Sequence, residues 1–285
     1  MPARTYLLLI LALISVSSSS LVVRYVSSVS AITLAFWRML TASGMLWAYS
    51  SLYKCEPLSI RNKKRVAFAG MFLGLHFIFF FIGVREVSIA NATIFANTGP
   101  FFTSLIALLS GKPVHRNALI GLCSAVVGIL IIQGADLQMG YKSTLGNLIS
   151  LLSGLCIAIT YVFASKIREE TENVVYGRSL FLAASLCIGM VGLLFGESLF
   201  RFTADHFFWF LFLGFVPTVL GHNILNYVIK YLTPTAVASV PLGEPIVASV
   251  LAFFLFSEMV SIGVFIGGPF IFFGIFLVLK NSLKP

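Results

Sequence analysis

Long apolar runs alternate with short polar stretches along the whole chain. Ten runs stand out, near 5–23, 30–51, 66–84, 87–109, 116–133, 144–165, 176–195, 207–229, 236–256 and 262–280. Each is close to the ~20 residues that a helix needs to cross the hydrocarbon of a bilayer. The connections are too short to hold a separate soluble domain. The pattern predicts an all-α membrane protein of ten transmembrane helices.

Two of the runs are interrupted at their middles. Pro241-Leu242-Gly243-Glu244-Pro245 puts an acid between two prolines inside the ninth run, and Asn97-Thr98-Gly99-Pro100 breaks the fourth. Proline removes a backbone donor and strains the preceding turn, and an acid at bilayer depth costs roughly 2.5–3.5 kcal/mol. Pro100 and Pro245 lie 145 positions apart. At that offset Arg85 falls on Lys230, and Thr103 and Ala107 on Ala248 and Ala252. With one residue inserted, Gly121 and Gly128 fall on Gly267 and Gly274. These matches predict a duplicated unit of five helices, residues 1–135 and 143–285. An odd number of crossings makes the second copy inverted.

Composition fits this picture. Of 285 residues, 59% are hydrophobic and 10% charged, and mean hydropathy is +1.00. The net charge of +9 is not accompanied by a basic patch interleaved with exposed aromatics, which argues against nucleic acid. With the N-terminus in the cytoplasm, fourteen Lys and Arg fall on inside segments and four outside, among them Arg24 and Arg85. By the positive-inside rule both termini are cytoplasmic, in the inner membrane, with lipid around the bundle. The four cysteines are scattered without CxxC spacing, so neither a disulfide framework, a metal site nor a cofactor is expected. The Asn91-Ala92-Thr93 sequon falls inside a span and is expected to be unused. The first run follows Arg4 as a signal peptide would, but it has no Ala-x-Ala site, and cleavage would leave an unmatched set of nine helices.

Candidate chemistry lies on the polar positions within the runs. Arg38, beside Trp37, sits about 12 Å deep at 1.5 Å per residue. It either partners a carbonyl or Glu244, or receives an anionic group of a substrate. His76 is near mid-depth in the third run. The serines at 15 and 17–20 serve either close helix packing or a polar wall. Tyr161 lies in the sixth run, and Lys166–Glu170 reads as a solvated loop. Tyr176-Gly177-Arg178 echoes Phe36-Trp37-Arg38. The eighth run is the most polar, with Pro217, Thr218, His222, Asn223, Asn226 and Tyr227. Thr218, His222 and Asn226 recur every four residues and predict one hydrophilic stripe facing the interior.

The two five-helix units, Arg38, the paired Pro100 and Pro245, Gly243-Glu244-Pro245 and Phe256-Ser257-Glu258 together resemble the EamA branch of the drug/metabolite transporter superfamily. Gly111-Lys112-Pro113 departs from the acid usual after the fourth helix. The resemblance implies a secondary transporter working by alternating access from a central cavity. Its cargo would be a small metabolite, an amino acid or related polar solute, or one like the S-adenosylmethionine that some relatives exchange. The small multidrug-resistance relatives couple protons through an acid in the first helix, and this chain has none there. Substrate contacts are expected from Trp37, Arg38, His76, Asn97, Tyr161, His222, Asn223, Asn226, Tyr227 and Glu244, around helix breaks at Pro100, Pro241 and Pro245. The protein would act as a monomer or homodimer. A passive channel remains open as an alternative. An intramembrane enzyme is disfavoured because His76 and His222 have no acid nearby in sequence.

Overall fold

A computed structural model of the chain describes residues 3–134, 141–256, 259–280 and 282–283. Ser257, Glu258 and the side chain of Ala252 lie outside these. The described chain is helical almost throughout: α1 (Ala3–Tyr25), α2 (Ala31–Ser50), α3 (Ile60–Glu86), α4 (Ile89–Ala96), α5 (Gly99–Leu109), α6 (Arg116–Gln133), α7 (Tyr141–Ile167), α8 (Asn173–Leu194), α9 (Ala204–Leu213), α10 (Asn223–Val228), α11 (Pro234–Ser239), α12 (Glu244–Phe256) and α13 (Ile262–Lys280). A π-helical segment, Gly214–His222, joins α9 to α10, and a 3-10 turn, Val240–Gly243, joins α11 to α12.

Local sequence explains where these helices start and stop. Ser30, Ser59 and Ser88 each accept the backbone N–H three residues on and so cap α2, α3 and α4, and Thr233 caps α11 in the same way. Gly196, at φ 71°, ends α8 by letting Glu197 N–H reach back to Gly192 O at 2.8 Å.

Among the described residues, eight helical stretches are long and apolar enough to cross a membrane, with α4–α5, α9–α10 and α11–α12 each counting as one. α2 and α6 are not among the eight. α2 carries Arg38 and several hydroxyls, and α6 is short. The outer surface is apolar, as hydrocarbon requires: Leu193, Leu194, Phe254, Phe265 and Phe273 are all exposed.

Partners across the bundle come in reciprocal sets. α6 lies along α13, and α2 along α8. α3 packs on α7, and α1 on the π segment. The first helix break meets α7 and the second meets α1. A Cβ on Gly99 would sit 3.3 Å from Ile157, and one on Gly243 would sit 2.8 Å from Leu13.

Candidate functional site

The helix breaks, α1, α2, α3, α7 and the π segment surround one small cavity of about 30 Å³. Its polar wall includes Ser19, Arg38, His76, Asn97, Tyr161, His222 and Glu244, and Phe77, Phe80 and Ile157 form an apolar side.

The position of Arg38 follows from the π segment. Pro217 has no N–H to give Leu213 O one α-turn back, and the Thr218 hydroxyl donates to that carbonyl at 2.8 Å. Thr218 Oγ1 then accepts Arg38 Nε at 2.8 Å, while Arg38 Nη1 donates to Ser19 Oγ at 2.6 Å. The guanidinium lies 4.2 Å from the centre of the Phe77 ring. Arg38 is wholly buried, and among the described residues its Nη2 has no hydrogen-bond partner. A cation held by two neutral hydroxyls and a ring is under-compensated at this depth. Its hydrogen bonds go to Thr218 and Ser19; Glu244, one of the partners considered from the sequence, attracts it electrostatically across the cavity without a direct hydrogen bond.

Glu244 heads α12 across the cavity. Asn97, which caps α4, donates one amide hydrogen to Glu244 Oε2 at 3.1 Å and the other to Pro241 O at 2.9 Å. His76 Nδ1 lies 3.0 Å from the Ser153 carbonyl and 2.8 Å from Ser153 Oγ, which also donates to His76 O at 3.1 Å. The His76 and His222 rings stand 6.3 Å apart. Tyr161 is buried, and among the described residues its hydroxyl, like Arg38 Nη2, has no hydrogen-bond partner.

Arg38, His76, Asn97, Tyr161, His222, Glu244 and Pro241 therefore meet at one cavity, and Pro100 and Pro245 flank the breaks. Trp37 lies elsewhere. Its Nε1 donates to Leu199 O at 2.7 Å, and its ring stacks on Phe210 at 5.6 Å between centroids. Asn223, Asn226 and Tyr227 are also not on the cavity wall. Thr218, His222 and Asn226 are all buried, but of the three only His222 lines the cavity, and Thr218 reaches it through Arg38. Arg168 is buried and donates Nε to Asn226 O at 2.9 Å and Nη1 to Thr171 O. Glu170 accepts from Asn62 at 3.2 Å. The segment read as a solvated loop is thus tied down. Arg178 does not repeat Arg38: it bonds Ser50 Oγ at 2.5 Å and lies over Trp47.

Of the serine cluster, Ser17, Ser18 and Ser20 bond back to their own helix, and only Ser19 reaches the site. Phe77, Phe80 and Ser153 carry no sequence signal that separates them from packing residues.

The EamA-like transporter family profile matches this chain twice, over residues 3–134 and 144–280. The chain belongs to the EamA-like transporter family. EamA relatives include a Helicobacter pylori strain J99 protein named an uncharacterized transporter, 26% identical over 67% of this chain and 66% of its own length. An Archaeoglobus fulgidus protein of the same description is 22% identical over 99% of both chains. The uncharacterized transporter YdfC of Bacillus subtilis is 23% identical over 82% of this chain and 77% of its own. A solved crystal structure superposes with TM-score 0.78 over 99% of this chain and 98% of that one, at 15% identity. This EamA chain therefore has the fold of a known structure and the family role of a transporter.

Proposed function

We propose that this protein is a secondary transporter that carries a small polar metabolite, an amino acid or related zwitterion, across the cytoplasmic membrane by alternating access. The observation that carries the reading is the unpartnered, buried Arg38 Nη2 at a cavity that Tyr161 and Glu244 also line. An anionic group of the cargo would complete the guanidinium, and a cationic or N–H group would meet the Glu244 carboxylate. The aromatic wall at Phe77 and Phe80 would take an apolar part. The chemistry of this wall is also compatible with a larger cargo of the S-adenosylmethionine type. No catalytic role is assigned to any residue.

The architecture behind the reading is two inverted five-helix units, 1–135 and 143–285, giving ten crossings with both termini cytoplasmic. Several observations support it. The family profile matches once in each half. Gly99 and Gly243 lie 144 positions apart, as do their neighbours Leu13 and Ile157. Arg24 and Arg168, also 144 apart, each close a helix and bond carbonyls beyond it: Arg24 reaches Val84 O and Val87 O at the end of α3, and Arg168 reaches Asn226 O in α10. Reciprocal packing of this kind is what a two-fold axis between inverted copies produces.

A thermal-shift screen of the purified protein against metabolites should find a stabilising ligand, since a ligand stabilises the state it binds. Counterflow of that ligand, radiolabelled, in proteoliposomes then separates a carrier from a channel. Saturable exchange supports the reading, and flux that ignores counter-substrate removes it.

A further inference from the structure

The two broken helices are joined by one side chain. Pro245 has no N–H to offer Pro241 O at the α-helical spacing, so that carbonyl takes the Glu244 N–H in 3-10 geometry and keeps a second lone pair free. Asn97 Nδ2 fills it at 2.9 Å, and its remaining hydrogen goes to Glu244 Oε2 at 3.1 Å. Asn97 is itself available because α4 ends there, two residues before α5 restarts at Gly99-Pro100. Both amide hydrogens of one residue in the first break are thus spent on the second. One goes to a backbone carbonyl fixed in the fold and the other to a carboxylate exposed to whatever enters the cavity.

We infer that Asn97 is a positioning residue that latches α4–α5 to α11–α12 and reports the state of Glu244 to both. A hydrogen bond to an ionised carboxylate is roughly twice as strong as one to a neutral acceptor. A cargo ammonium, or a proton, that neutralises Glu244 weakens one arm of the latch, and the remaining bond to Pro241 O is a neutral one. The charged and titratable groups facing Glu244 around the cavity are Arg38 on α2, His76 on α3, Tyr161 on α7 and His222 in the π segment. The amide bond to Glu244 is made by none of these, only by Asn97 among the described residues. This inference rests on the transport reading for its purpose, but the latch itself is testable without cargo.

The test is a double-mutant cycle at one pH. In a full-length chain whose four native cysteines are replaced by alanine, Ala238→Cys on the cavity wall reports access to a maleimide in proteoliposomes. Asn97→Ala and Glu244→Gln should each speed alkylation, by about tenfold for the former, the low-end worth of one hydrogen bond to a charged group. Their combination should be no faster than Asn97→Ala alone. Asn97→Asp, which sets carboxylate against carboxylate, should be faster still. N97D/E244Q should fall below the Asn97→Asp rate without reaching the parent's, because the new amide can donate to the new carboxylate while Pro241 O stays without its side-chain donor. Effects that multiply independently, or a swap that gives no rescue, overturn the latch. Because no cargo is present, loss of counterflow alone bears on the transport reading and not on this one.

Discussion

Gly121 and Gly274 press together so closely that a Cβ on Gly121 would lie 2.5 Å from Gly274 O. Gly128 and Gly267 repeat the contact with the halves exchanged, at 2.4 Å from Gly267 O. The helices α6 and α13 therefore touch backbone to backbone, as small residues allow in a membrane. Gly121→Val cannot be absorbed by a flexible side chain, because the obstacle is a carbonyl. Overpacking of this kind costs about 1–3 kcal/mol, so the melting temperature in detergent should fall clearly. Gly44→Ala has nothing within 4 Å of its new Cβ and should leave melting unchanged or slightly raised.

Arg38→Met separates function from stability. Replacing a buried charge with an apolar side chain of similar length is often neutral or stabilising, and here it also leaves two hydroxyls, Ser19 and Thr218, that can bond to their own helices. Melting should stay near the parent value. Ligand binding should weaken by about tenfold or more, the worth of a charge-assisted bond, read by isothermal titration with the ligand found in the screen.

Trp37→Phe should do the reverse. It removes the Nε1 bond to Leu199 O, worth about 1 kcal/mol, and part of the stack on Phe210. The variant should melt lower, while the counterflow KM should not move, because Trp37 is off the cavity wall.

Glu244→Gln should flatten the pH dependence of transport. If the ionised carboxylate receives the cargo's positive group, parent activity declines as acid protonates it, and an amide has no such titration. Counterflow measured across pH checks this. A variant with the parent's pH profile and normal folding would remove Glu244 from the mechanism.

Arg24 and Arg85 sew the α1–α2 turn to the end of α3 in both directions. Arg24 donates to Val84 O and Val87 O at 2.6 Å each, and Arg85 donates to Val26 O and Val29 O at 2.8 and 2.6 Å. Replacing both with Gln leaves four carbonyls short of charged donors. Amide exchange at residues 26–30 and 86–88 should quicken by about tenfold, while α6 and α13, packed on each other, should keep their protection.

The sequence alone determined the solvent and the breaks. Runs of about 20 apolar residues admit only a helix in lipid, because every backbone group must be satisfied within its own segment. Proline removes a backbone donor, so Pro100, Pro241 and Pro245 marked irregular backbone before any partner was known, although Pro269 stands inside α13 without ending it. Depth along a run also identified Arg38, His76, Asn97, Tyr161, His222 and Glu244 as interior. Only the tertiary structure decided what each of them faces. Asn226, which a constant helical period had placed on one stripe with Thr218 and His222, is buried but does not line the cavity that His222 lines, beyond the π segment that carries Pro217 and Thr218. Trp37, one residue from Arg38, points about 100° away around the helix and found Phe210 and Leu199 instead of the cavity. Arg38 took Ser19, from the preceding helix, and Thr218, 180 positions away, while Glu244 took Asn97, 147 positions away, because partners on different helices are chosen by how the helices pack, and no local pattern encodes that choice.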